Sequence, residues 1–201
     1  MIYLLINFNT LAEGKNATME NMDKGGINSS LDSNQEYARV IEWMPAWSSG
    51  APCPQLFTNG HKTFLIYMMD EPDPDWDGSY TRLINPGSDT AYSLALVEFI
   101  FAHSHRFGIV NDEAISGHPL YGKGIEMYEA HIIENSTWIN ELRQIHKIHP
   151  QYSELKWSKL NHYLLFFHDD IFEVVARDYK TELYNSTFED LGMEVIKRFN
   201  S

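Results

Sequence analysis

The sequence predicts an α+β domain: a predominantly antiparallel sheet with about three to four helices packed on it. Three observations carry this. Strand-like segments outnumber helical ones. The turns at Asn59-Gly60 and at Asp169-Asp170 are short enough to join antiparallel neighbours as hairpins. Strands and helices do not alternate as they do in a doubly wound fold. The chain of 201 residues is read as a single domain, residues 1–201, large enough to bury a core without staples. Aromatics make up 13%, so large rings are expected to dominate that core.

The elements follow in order. MIYLLINF reads as a strand, too short to span a bilayer and without the basic flank of a signal peptide. Residues 13–34 are polar and glycine-bearing, a mobile loop. Ser33 and Glu36 form a capping box, Tyr37, Val40, Ile41 and Met44 recur at helical spacing, and Pro45 stops the run, which predicts a helix at about 34–44. QLFTNGHKTFLIYMMDE is a hairpin whose Asn59-Gly60 suits both positive-φ positions of a type I′ turn. Its second arm is apolar on both faces, as in a central strand.

YTRLI is a short strand after the PDPDWDGS loop. TAYSLALVEFIFAHSHRFG is read as one long strand, because aromatic and β-branched residues cluster there. Leu94, Val97 and Phe101 also fit a buried helix, the competing reading. IEMYEAHIIENS is a strand. Ser136 caps a helix running to Pro150, with Trp138, Leu142 and Ile145 as its buried stripe. Ser153 opens a short helix, and NHYLLFFHDDIFEVVARDYKTEL folds back on itself at Asp169-Asp170. Thr187 and Asp190 start a C-terminal amphipathic helix.

Charge narrows the function. Fifteen basic and 28 acidic residues give −13, a surface that repels phosphate backbones and anionic lipid heads. No nucleic-acid or membrane partner is expected. Cys53 is the only cysteine, so no internal disulfide forms, and the four N-x-[ST] sequons are compositional accidents of a cytoplasmic protein. No nucleophile elbow, phosphate loop or dinucleotide fingerprint is present.

The candidate chemistry centres on residues 111–124, NDEAISGHPLYGKG. Pro119 holds His118 away from the helical region, and the glycines allow sharp turns, so a rigid loop could present His118 with Asp112 or Glu113 for acid–base work. The plain alternative is a crossover loop whose glycines only turn the chain. His103 and His105 are two apart, and on one strand they would share a face as a metal-ligating pair. His131, His162 and His168 lie on other strands and could join them. His168 beside Asp169 could be an oriented base, although two aspartates at a hairpin tip also suit a turn. Asp73, Asp75 and Asp77 resemble half of a calcium loop, but the twelfth position is Ile84.

The succession of WDGSY, NDEAISGHPLYGKG, NSTWINELRQIHKIHP and HYLLFFHDDIFEVVAR resembles a family of uncharacterised bacterial proteins of similar length, over about residues 43–178. The resemblance implies a bacterial, cytosolic protein and carries over no functional residue. Two functions remain in view. One is a small-molecule site, with hydrolytic chemistry and a divalent metal as an option, built from Asp112, Glu113, His118 and His168 with His103 and His105. The other is a non-catalytic acidic partner of a basic protein, of the immunity or inhibitor type.

Overall fold

The computed structural model describes residues 3–4, 34–70, 83–108 and 110–200. All but the last residue of the polar segment 13–34, and the whole acidic 73–78 stretch, lie outside the described residues. Fifteen elements follow in chain order: β1 (Tyr3–Leu4), β2 (Tyr37–Ile41), β3 (Gln55–Thr58), β4 (Thr63–Met68), β5 (Leu83–Ile84), β6 (Tyr92–Ile100), β7 (Ser104–Gly108), a 3-10 helix (Asp112–Gly117), β8 (Ala130–Glu134), α1 (Thr137–His146), α2 (Glu154–Trp157), β9 (Asn161–Phe166), β10 (Ile171–Ala176), β11 (Asp178–Ser186) and α3 (Phe188–Arg198).

The α+β class and the antiparallel pairing hold, but there are two principal sheets rather than one. A five-stranded sheet runs β2-β8-β9-β10-β7, a four-stranded sheet runs β11-β6-β4-β3, and β1 pairs with β5 apart from both. Side chains alternate along each strand, which separates three apolar layers. Leu65, Tyr67, Val97 and Phe99 of the four-stranded sheet meet Tyr163, Leu165, Phe172 and Val174 of the five-stranded one, with Trp43 and Trp47 between. The opposite face of the four-stranded sheet, Phe64, Ile66, Leu94 and Leu96, is covered by Phe188, Leu191 and Val195 of α3. The opposite face of the five-stranded sheet carries Ile133, Leu164, Phe166 and Ile171 under Leu120, with Ile115 and Ile125 at the margin. The helices therefore cover both outer faces.

The stretch expected to be one long strand is two. β6 belongs to the four-stranded sheet and β7 to the five-stranded one. Between them Phe101 takes a φ of +53°, which breaks the strand. β10 and β11 change sheets at the same corner, where Arg177 N–H donates to Ile100 O at 3.0 Å and the guanidinium lies 4.3 Å over the Phe101 ring.

The helix expected at 34–44 is the strand β2. Tyr37, Val40 and Met44, its supposed apolar stripe, are exposed, while Ala38 is buried. The β-branched Val40 and Ile41 suit pairing with β8, and Arg39 reaches Glu134 across that pair at 2.8 Å. Glu36 caps a different helix: its Oε1 accepts from Thr137 N–H at 2.7 Å and from Thr137 Oγ1 at 2.8 Å, at the start of α1.

The β3–β4 hairpin has a wider loop than a type I′ turn. Thr58 pairs with Thr63, only Gly60 has positive φ, and Asn59 acts through its side chain, accepting from His61 and Lys62 N–H. The β9–β10 hairpin closes at 167–170 as expected, with Phe167 N–H donating to Asp170 O at 2.9 Å. In α1, Trp138 is buried but Ile145 is exposed, so the expected stripe is shorter.

Candidate functional site

The outer face of the five-stranded sheet is apolar except at its centre. His131, His162 and Glu173 are buried there, at 0%, 2% and 7% exposure, in strands whose other residues are almost all hydrophobic. Charged and imidazole groups are costly in such surroundings unless hydrogen-bonded.

Glu173 and His162 are bonded. Glu173 Oε2 lies 2.8 Å from His162 Nε2, and His162 Nδ1 lies 2.9 Å from Ser136 Oγ. An ionised carboxylate only accepts, so Nε2 carries the ring proton. Nδ1 of the neutral ring then accepts, and the Ser136 hydroxyl donates to it. Ser136 is also the N-cap of α1, its Oγ accepting from Ile139 N–H at 3.1 Å. Arg106, on the neighbouring strand, places Nη1 3.6 Å from Glu173 Oε1. Its guanidinium lies 4.0 Å over the Trp138 ring, and that ring stands edge-on to His162. Burial pushes the Glu173 carboxyl up, but the hydrogen bond from His162 and the nearby Arg106 guanidinium outweigh this and hold it below the ordinary carboxylate range.

The loop 111–124 is docked on this face. Ala38 N–H donates to Lys123 O at 2.7 Å. Gly124 has φ +87°, and a Cβ there would meet Ala38 O at 2.4 Å, so close backbone approach requires glycine. Within the loop His118 Nδ1 accepts from Leu120 N–H at 3.2 Å. Burial pushes the His118 pKa down, and the charges acting on it are Glu173, Arg106, His162 and Glu36. His118 thus belongs with the Glu173 group.

The six residues singled out from the sequence divide among separate places. Asp112 follows the Asn111 cap of the 3-10 helix, and its Oδ2 accepts from Tyr128 O–H at 2.7 Å. Tyr128, at φ +63°, stacks on His168 at 5.8 Å, and His168 Nδ1 lies 2.9 Å from Asp169 Oδ1. Asp112 and His168 are therefore brought together, with Tyr128 between them. Burial and the Asp112 bond raise the Tyr128 hydroxyl to about 12. Glu113 is exposed on the 3-10 helix.

His103 and His105 do not share a strand face. His103 precedes β7 and packs against Trp157 of α2, ring centroids 4.9 Å apart. His105 alternates with Arg106 and shares the face of Phe107, whose ring meets Phe172 of the inter-sheet core. The sheet change at Phe101 displaces His103 from the register that a single long strand would impose. Among the described residues, no group of three His, Cys, Asp or Glu side chains is arranged to hold a metal ion.

Ser136, Arg106 and Glu173 were not singled out for chemistry from the sequence. Ser136 announced itself as a helix cap, which it is. Glu173 had a readable signal: it is the one charge in the apolar run IFEVVA. Comparison with protein families, with curated proteins and with solved structures finds no match.

Proposed function

We propose that the protein is a serine-type hydrolase for a small ester or amide substrate. Ser136 is the nucleophile, His162 the general base, Glu173 the orienting carboxylate, and Arg106 and His118 the polar rim. One observation supports this reading above others: the unbroken bond chain from Ser136 Oγ to His162 at 2.9 Å and on to Glu173 at 2.8 Å. A hydroxyl in reach of an imidazole that a third group orients is the signature of an activated nucleophile.

In the reaction Ser136 Oγ bonds to the acyl carbon as its proton passes to His162 Nδ1. The imidazolium donates that proton to the leaving group as the acyl bond breaks. Water, deprotonated by the same nitrogen, then releases the acid and restores the serine. Ser136 is buried, so the reaction requires the packing over its hydroxyl to open to substrate.

The test is covalent labelling by a fluorophosphonate, located by peptide mass spectrometry. The label is expected on Ser136, lost in Ser136→Ala and reduced at least roughly a hundredfold in rate in His162→Gln. Folded protein that takes no label on Ser136 refutes the assignment.

The second reading, a non-catalytic partner of a basic protein, is favoured by the exposure of Ile145, Ile148 and Leu155 around the ends of α1 and α2, on a chain of net charge −13. Its test is affinity capture from the native host, with capture reversed by salt. Under either reading we place the protein in the bacterial cytoplasm, on the family resemblance and the single cysteine, and give it no nucleic-acid partner on account of its charge. Among the described residues, no helix is long and apolar enough to cross a membrane.

A further inference from the structure

A second region of the molecule carries groups that the Ser136 relay does not use. Between the start of β7 and the helices α1 and α2 lies an open cleft of about 190 Å³, lined by His103, His146, His149, Tyr152, Lys156 and Trp157 among others. Trp157, only 6% exposed, lines it from beneath the histidines. The His103 and His146 rings stand 4.9 and 5.2 Å from the indole and 6.0 Å from each other.

The lining has an unusual balance for this chain. None of the cleft residues is acidic, although the protein carries −13 overall. The nearby carboxylate, Glu154, is already engaged by Arg143 at 2.8 Å and by the Tyr152 hydroxyl. The donors, by contrast, are largely unspent. The His103 and His146 rings make no hydrogen bond, and Lys156 no ion pair, among the described residues. His149 Nδ1 accepts from Gln151 N–H at 3.1 Å, which leaves its proton on Nε2 as a donor.

We propose that this cleft binds a small oxyanion, held by the imidazoles of His103, His146 and His149 and the ammonium of Lys156 against the Trp157 indole. Imidazole N–H and ammonium groups are the donors such an anion takes, and the absence of carboxylates removes the repulsion it meets elsewhere on the surface. Binding of the anion favours the protonated form of His103, so affinity rises as pH falls. Burial and His146 hold His103 below its ordinary value. At the edge of the cleft Glu154 is held by Tyr152, Arg143 and Lys147.

The test is a titration with inorganic phosphate, followed by NMR of the histidine imidazoles and the Trp157 indole. Saturable shifts are expected at His103, His146, His149 and Trp157, at least roughly threefold tighter at about pH 6 than at about pH 8. Lys156→Gln, at an exposed position, is expected to weaken binding at least about threefold, and His103→Asn more, with signals from the sheets unchanged in both. Linear, non-saturating shifts overturn the proposal. So does saturation that both variants leave intact. If zinc shifts the His103 and His146 signals while phosphate does not, the cleft is a two-histidine metal site and the oxyanion assignment falls.

Discussion

His131 gives the sharpest prediction, a loss of stability on mild acidification that one side chain dominates. It sits on β8 with 0% exposure, opposite Leu164 in the five-stranded sheet. Its Nε2 accepts from Glu126 N–H at 3.0 Å, so the ring proton is on Nδ1. Protonating Nε2 would break the Glu126 bond and bury a cation. Burial, only partly offset by the Leu164 and Glu129 backbone, therefore lowers its pKa from 6.5 to about 4. Between those values the unfolded chain binds a proton that the native state refuses. Stability is full above about pH 6.5, falls with pH through that window and is lost below about pH 4. At ~1.4 kcal/mol per tenfold change in proton affinity, the loss is roughly 3 kcal/mol. His103 and His118, also lowered, act in the same direction. Urea unfolding at a series of pH values measures the slope, and His131→Leu isolates this residue. The variant is expected to start about 1–3 kcal/mol less stable, because Glu126 N–H loses its acceptor. It is also expected to show a slope flatter by close to one proton. An unchanged slope, or an imidazole signal for His131 that titrates near 6.5 in the native protein, would refute the reasoning.

Three further outcomes are expected. Gly124→Ala forces a Cβ against Ala38 O in a positive-φ position, and the loss is expected to exceed about 2 kcal/mol, read as a lower urea midpoint, with the His118 NMR signal displaced. Tyr67→Phe removes a buried hydroxyl that accepts from Trp43 Nε1 at 3.0 Å and donates to Pro45 O at 2.8 Å; a cost of about 1–3 kcal/mol is expected by thermal unfolding. Glu36→Ala strips Thr137 N–H and Oγ1 of their acceptor, and about 1 kcal/mol is expected to go, with faster amide exchange at Thr137.

The legible parts of the fold were those decided within a few residues. Thr187 Oγ1 accepts from Asp190 N–H at 3.0 Å, as its spacing foretold, and α3 begins there. Asp169-Asp170 turns the chain, and β4, apolar on both faces, lies between two layers of core. The misread segments were those where a local pattern met a distant partner. Residues 37–41 read as a helical stripe, yet β8 offered a strand edge, and pairing with it outweighed the propensity. Glu36 completed a capping box on paper, while its carboxylate found the start of α1, about a hundred residues on.

The candidate site divides the same way. The sequence by itself determined the class of fold, the single cysteine and the net charge of −13. It also singled out Asp112 and His168 as candidate acid–base groups. Only the tertiary structure decided which partners they met. It set Tyr128 between Asp112 and His168, split His103 from His105 by changing sheets at Phe101, and joined Ser136, His162 and Glu173 into one chain of bonds. The physical reason is register. β9 and β10 place His162 opposite Val175 and Leu164 opposite Glu173, so the histidine and the carboxylate become diagonal neighbours on one face. A slip of one residue would have put them on opposite faces of the sheet.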